Sequence, residues 1–251
     1  AIQVPLNAFL KGEFLRYQLA DAQASTLVAD AAGWRAVQPL LDQLPELRWV
    51  KVGSILMTRE GPDFIRTLTA RGLKIFLDLK WHDIPNTVAG AVTAARELGV
   101  SLATVHSLGG AAMLEAASVA GGTELGLIGV TVLTSHDAGV YGEAVGRSDV
   151  DVNQEVERLA LMGVRAGLRG FVCSSHEVSL LRRRLGPDPL IVVPGIRRQS
   201  DKLGDQVRVA TAKDAVSSGA THVVVGRPVL QASDPALVLK ELLKETRCIA
   251  S

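Results

Sequence analysis

The sequence predicts an α/β fold, a single closed (β/α)8 TIM barrel with a short N-terminal extension. Three observations lead there. Eight short apolar runs alternate with helix-like stretches, and no long linker or shift in composition divides them. At 251 residues and 47% hydrophobic content, the chain can bury one sizeable core and has the usual size of one such barrel. An open doubly wound sheet would be expected to carry a G-x-G-x-x-G turn after its first strand, but Asp30-Ala31-Ala32-Gly33 stands there instead.

Residues 1–25 form the extension, ahead of a barrel domain over 26–251. They mix apolar and charged residues without a β-like run, and Ala8 to Ala24 reads as a helix covering one end of the domain. The first strand, Thr26 to Asp30, is short and apolar and ends in an acid, as suits a buried strand with a functional residue at its tip. A helix follows Trp34, with Val37, Leu40, Leu41, Leu44 and Leu47 at helical spacing and Pro39 tolerated near its start. The remaining strands are Trp49 to Gly53, Lys74 to Lys80, Leu102 to Ser107, Leu125 to Leu133, Gly170 to Ser175, Leu190 to Gly195 and His222 to Arg227. Helix signals lie between them: Thr87 ahead of Val88 to Leu98 with Gly99 as a stop, Ser174 with Glu177 as a capping box, and Asp234-Pro235 opening the last helix. One connection is long. The Gly-rich, charged segment Ser135 to Val150 precedes a helix that turns Val156, Leu159 and Ala160 inward.

Composition excludes several classes of function. The 27 Lys and Arg nearly balance the 26 Asp and Glu and are scattered, which argues against a nucleic-acid or anionic-membrane surface. Cys173 and Cys248 stand in no metal-ligand or redox spacing and read as structural. No run of about 18 apolar residues could span a bilayer, and the N-terminus lacks a basic segment followed by a long apolar one, so the expected location is cytoplasmic.

The chemistry concentrates in Asp78-Leu79-Lys80-Trp81-His82-Asp83-Ile84-Pro85-Asn86-Thr87. Along Lys74 to Lys80, Ile75, Leu77 and Leu79 point one way while Phe76, Asp78 and Lys80 point the other. In so hydrophobic a strand, ions must be paired and usually have a task. The C-terminal ends of the strands, where such barrels place their sites, gather Asp30, Lys51, Asp78, Lys80, His106, Thr134, Arg197 and Arg227. The turns Pro194-Gly195-Ile196-Arg197 and Gly226-Arg227-Pro228 pair glycine with arginine, which suits phosphate: backbone N–H groups approach the oxygens and a guanidinium grips two at once.

Extended over its ten residues, Asp78 to Thr87 resembles the signature of the orotidine 5'-monophosphate decarboxylase family. The likeness runs from Asp30 to Arg227 in the family's order, through Lys51-Val52-Gly53, Thr131 to Ser135, Pro194 to Arg197, Gly204-Asp205-Gln206 and Val225 to Pro228. The first strand reads Val-Ala-Asp where many members have Ala-Leu-Asp, and Trp81 occupies a variable position. The resemblance implies decarboxylation of orotidine 5'-monophosphate to UMP in pyrimidine biosynthesis, by a lyase that needs no metal or cofactor. It implies Lys80 as proton donor, with Lys51, Asp78 and Asp83 completing a charged tetrad. Asp30, Lys51 and Thr87 then resemble ribose-side ligands, Thr134 a pyrimidine-side ligand, and Arg197, Gln206, Gly226 and Arg227 phosphate-side ligands. It also implies a homodimer in which Asp83 and Thr87 enter the neighbouring subunit's site.

Two rival readings share the scaffold. Sugar-phosphate decarboxylases and synthases of the same superfamily also carry D-x-K-x-x-D, but an acid stands where this chain has Lys51, whose charge would repel magnesium. A silent nucleotide-phosphate binder would not require the alternating charges of Lys51, Asp78, Lys80 and Asp83. His82 and His106 invite a metal or acid-base role; no second His lies at ligand spacing from His82, and His106 is read as supporting the site at most.

Overall fold

Parallel pairing carries each strand into the next until the sheet closes on itself. The structure, a computed structural model, describes residues 2–5, 26–28, 49–196 and 211–224. Its strands are β1 (Ile2–Pro5), β2 (Thr26–Val28), β3 (Trp49–Gly53), β4 (Lys74–Trp81), β5 (Leu102–His106), β6 (Gly126–Val130), β7 (Gly170–Val172), β8 (Leu190–Val193) and β9 (His222–Val224). The helices are α1 (Ser54–Ala70), α2 (Pro85–Glu97), α3 (Gly110–Gly121), α4 (Ala138–Val145), α5 (Val152–Arg165), α6 (Val178–Leu185) and α7 (Ala212–Ser217).

The eight predicted strands are present in the predicted order as β2 to β9, and the closed parallel barrel is present, its ring completed by a ninth strand. Residues 1–25 need a correction. Expected to lack a strand, they supply β1, which pairs in parallel with β2 on one side and β9 on the other. Four residues ending in proline are too few to display a period of two, so only the two neighbours in the closed ring reveal the strand. The helices expected over 8–24, after Trp34 and after Asp234 lie outside the described residues.

Strand parity divides the core into two layers. Outward-facing side chains, among them Val50, Val52, Ile75, Leu77, Ala103 and Val105, pack against the helices. Inward, Phe76 of β4, Ile128 of β6 and Val192 of β8 meet inside the ring, flanked by Leu102, Val172, Leu190 and Val224. Burying a side chain of this size contributes about 1.5–3 kcal/mol. This plug lies one inward position below Asp78, so apolar side chains fill the barrel beneath the charges.

The helix ends follow local chemistry. Pro85 occupies the first turn of α2, which therefore begins two residues before Thr87 and leaves Thr87 inside the first turn. Gly99, with φ of 78°, ends the run as expected. The capping box at Ser174 is present: Glu177 Oε2 accepts from Ser174 N at 2.7 Å and from Ser174 Oγ at 2.6 Å. Val156, Leu159 and Ala160 of α5 are fully buried, as their spacing predicts.

The long connection after β6 is more ordered than its composition suggests. It contains α4, capped by Asp137 Oδ1 accepting from Val140 N at 2.9 Å. Its two glycines depress helix propensity and hide the helix from a pattern search. Tertiary contacts compensate: buried Glu155 accepts from Tyr141 Oη at 3.2 Å, Arg147 Nη1 at 2.6 Å and Arg158 Nη2 at 2.8 Å. One carboxylate thus ties α4 and the following turn to α5.

Candidate active site

The register places the charged residues on one inward-facing patch. Gly53 is opposite Asp78 and Lys51 opposite Phe76, so Lys51 starts one position lower on β3 and reaches up. Lys51 Nζ donates to Asp78 Oδ2 at 2.8 Å, and Lys80 Nζ donates to Asp78 Oδ1 at 2.8 Å. Two ammonium groups share one carboxylate. Burial alone would raise the Asp78 carboxyl, but the charges of Lys51 and Lys80 and the hydrogen bonds they donate outweigh it and hold the group well below the usual carboxylate range. Asp78 is therefore an anion at any pH where the protein works. The Lys80 side chain is 42% exposed against 14% for Lys51, so Lys80 faces the open end while Lys51 is enclosed. Paired charges in such a place are weak evidence of stabilisation, because apolar residues of equal volume often serve stability as well or better. Their arrangement points to chemistry.

The path of β4 explains how Lys80 comes to lie over Asp78. Four steps along β4, from Leu77 to Trp81, answer only two along β5, from Ala103 to Val105. The strand bulges across Asp78 to Lys80, and bulges re-aim side chains. Among the described residues, Lys80 is the single non-glycine with a positive φ, at 54°. Holding such a conformation costs on the order of 1–3 kcal/mol and persists only where the surroundings enforce it. The enforcing group is Thr104: its Oγ1 accepts from Lys80 N at 2.8 Å and donates to Asp78 Oδ1 at 3.1 Å.

Sequence reasoning missed Thr104. The available signal was a polar residue at an inward position of Leu102 to His106, two before His106, in register with the charges of the neighbouring strand. The other predicted residues are placed as follows. Asp83 is exposed and accepts from its own Ile84 N at 2.7 Å, so within one chain it does not join the Lys51–Asp78–Lys80 cluster. Thr87 is exposed in the first turn of α2, and Thr134 is buried in the segment after β6. Asp30, Arg197, Gln206, Gly226 and Arg227 lie outside the described residues. Among the described residues, no group of three or more His, Cys, Asp or Glu could hold a metal ion.

Two histidines border the cluster. The rings of His82 and His106 stack with centroids 5.4 Å apart and planes 22° apart, and His106 Nδ1 accepts from Leu108 N at 3.4 Å. Burial, reinforced by His82, Lys80 and His136, lowers the His106 pKa to about 4; burial likewise lowers that of His222 to about 4. Both rings are neutral near pH 7. Below pH 6.5 an unfolded chain takes up protons that these folded sites refuse, so their contribution to stability is complete above 6.5 and is lost as pH falls towards 4. The melting temperature is expected to drop more steeply between pH 7 and 4 in the wild type than in a His106→Gln/His222→Gln variant. Parallel curves would show that neither ring carries the effect.

Comparison with known proteins identifies relatives of this chain. A family model described as "Orotidine 5'-phosphate decarboxylase / HUMPS family" matches residues 28–242. The orotidine 5'-phosphate decarboxylase of Halorhodospira halophila is 46% identical over 218 residues, covering 86% of this chain and 91% of its own length. That of Anaeromyxobacter sp. strain K is 47% identical over 198 residues, covering 79% and 86%. The crystal structure of orotidine 5'-phosphate decarboxylase from Lactobacillus acidophilus superposes with a TM-score of 0.72 at 33% identity, over 98% of each chain.

Proposed function

The chain belongs to the orotidine 5'-phosphate decarboxylase / HUMPS family, and on that footing we propose that it decarboxylates orotidine 5'-monophosphate to UMP, as a carboxy-lyase of pyrimidine biosynthesis. The observation that carries this reading is the Lys51–Asp78–Lys80 chain of ion pairs at the open end of a barrel that is plugged with apolar side chains below.

Loss of CO2 from C6 of the orotate ring leaves an electron pair in an in-plane orbital that the ring π system cannot delocalise. The site itself must stabilise that charge. A fixed ammonium beside C6 does so as the charge develops, and the same group then delivers the proton that completes UMP. Lys80, the more exposed of the two lysines and anchored through Asp78, takes both roles and regains its proton from solvent. Lys51 and Asp78 hold the ammonium in place, and Asp83 supplies the second acid. On the substrate side, Asp30, Lys51 and Thr87 hold the ribose and Thr134 the pyrimidine. Arg197, Gln206, Gly226 and Arg227 hold the phosphate, whose remote binding energy helps to organise the reacting end.

The reaction as proposed needs neither metal nor cofactor, because the ammonium supplies the positive charge that a cation would otherwise provide. Lys51 also separates this chain from the magnesium-dependent branch of the superfamily, since its ammonium, 2.8 Å from Asp78, would repel a divalent ion there. The working form is a homodimer in which Asp83 and Thr87 serve the neighbouring subunit. Ile84, 66% exposed, and Ile55, 65% exposed, follow adjacent strands at the same end of the barrel and offer apolar surface for such a contact. A cytoplasmic location accords with the described residues, among which no helix is long and apolar enough to cross a membrane. The test is an assay of orotidine 5'-monophosphate decarboxylation with and without EDTA. Equal turnover in both is expected; loss on chelation and recovery with magnesium would refute the metal-free reading, and no turnover under either condition would refute the decarboxylase reading.

A further inference from the structure

Resting on the decarboxylase reading, we propose that Thr104 is a positioning residue for the reaction: one hydroxyl fixes the backbone of Lys80 and the carboxylate of Asp78, and so sets where the Lys80 ammonium stands.

A threonine hydroxyl has one proton to donate and lone pairs to accept with. At Thr104 the proton goes to Asp78 Oδ1 at 3.1 Å, and a lone pair receives the N–H of Lys80 at 2.8 Å. Thr104 is completely buried, so its hydroxyl is shielded from water. The N–H it receives belongs to the residue at φ 54°, inside the bulge where β4 leaves its regular pairing with β5. Without this acceptor, the backbone donor of Lys80 would lose its partner in a partly buried bond, and the strand could relax towards ordinary pairing. Relaxation would draw the Lys80 side chain away from Asp78 Oδ1, the oxygen that both Lys80 Nζ and Thr104 Oγ1 contact. The three bonds form one triangle of support. Thr104 need not touch the substrate; it acts through Lys80.

The test compares Thr104→Val, which keeps the shape and removes both bonds, with Thr104→Ser, which keeps the hydroxyl. Misplacing a reacting group by about 1 Å can cost about 100-fold in rate. Thr104→Val is expected to lose kcat on that order while its affinity for UMP changes little, and Thr104→Ser should recover most of the loss. A second readout follows ammonium placement directly: UMP bearing an ionised hydroxyl at C6 puts a negative charge where the carbanion would form. Its affinity relative to UMP should fall in Thr104→Val and be retained in Thr104→Ser. A purely structural role would lower the melting temperature and leave kcat and the affinity ratio unchanged, which would overturn the inference. Should Thr104→Val not fold, Thr104→Ala carries the same comparison. A wild type unable to decarboxylate the nucleotide would overturn both this inference and the reading beneath it; an active wild type with an equally active Thr104→Val overturns this inference alone.

Discussion

Lys80→Ala is expected to lower turnover of orotidine 5'-monophosphate by about 10^4-fold while leaving UMP affinity nearly intact. The magnitude follows from the two duties assigned to one ammonium. Proton delivery by a positioned side chain contributes about 10^2 to 10^4, and a preorganised charge aimed at a developing anion about 10^2 to 10^3. The two are not independent, so the product is an upper bound rather than a sum of parts. UMP carries no charge at C6, so the product complex lacks the interaction that the substitution removes. Single-turnover kinetics and equilibrium binding of UMP test the two halves separately. Near-normal turnover would remove Lys80 from the mechanism. Unchanged kcat with a raised KM would assign it to binding instead.

The features that place Lys80 over Asp78 differ in how plainly the sequence displays them. The alternation along Lys74 to Lys80 already separates Phe76, Asp78 and Lys80 from Ile75, Leu77 and Leu79, and the two core layers divide along that line. Local chemistry was equally readable at Ser174 and Glu177, because a capping box involves residues only three apart. The bulge was not. It depends on Thr104, 24 residues from Lys80 in sequence, and no local pattern at Asp78-Leu79-Lys80 announces that the strand will depart from regular pairing there. A pattern of period two places Asp78 and Lys80 on one face but leaves the second ammonium a full repeat above the first carboxylate. The left-handed Lys80 brings them within 2.8 Å. β1 and α4 were hidden for a related reason, since one is held by two neighbouring strands and the other by Glu155, both remote from the residues that form the element.

Mixing two inactive variants, Lys80→Ala and Asp83→Ala, is expected to restore roughly a quarter of wild-type activity if the site is shared across a two-fold axis. The geometry within one chain motivates the experiment. Asp78 is one carboxylate facing two ammonium groups, so the cluster carries an excess positive charge that a second acid would balance. Asp83 does not supply it from its own chain, where it is exposed and bonded to the N–H of Ile84. Pro85 opens α2 directly afterwards, and the residue before a proline is biased towards extended backbone, as Ile84 is with ψ of 152°. If Asp83 acts on the partner, each mixed dimer contains one site with both substitutions and one with neither. Random exchange makes about half of the dimers mixed, and one of their two sites is intact, which gives the quarter. If Asp83 instead acts within its own chain, every site in the mixture lacks one residue and no activity returns. Sedimentation of the wild type at assay concentration supplies the companion measurement. A monomer that turns over substrate at full rate would defeat the shared site while leaving the roles of Lys51, Asp78 and Lys80 untouched.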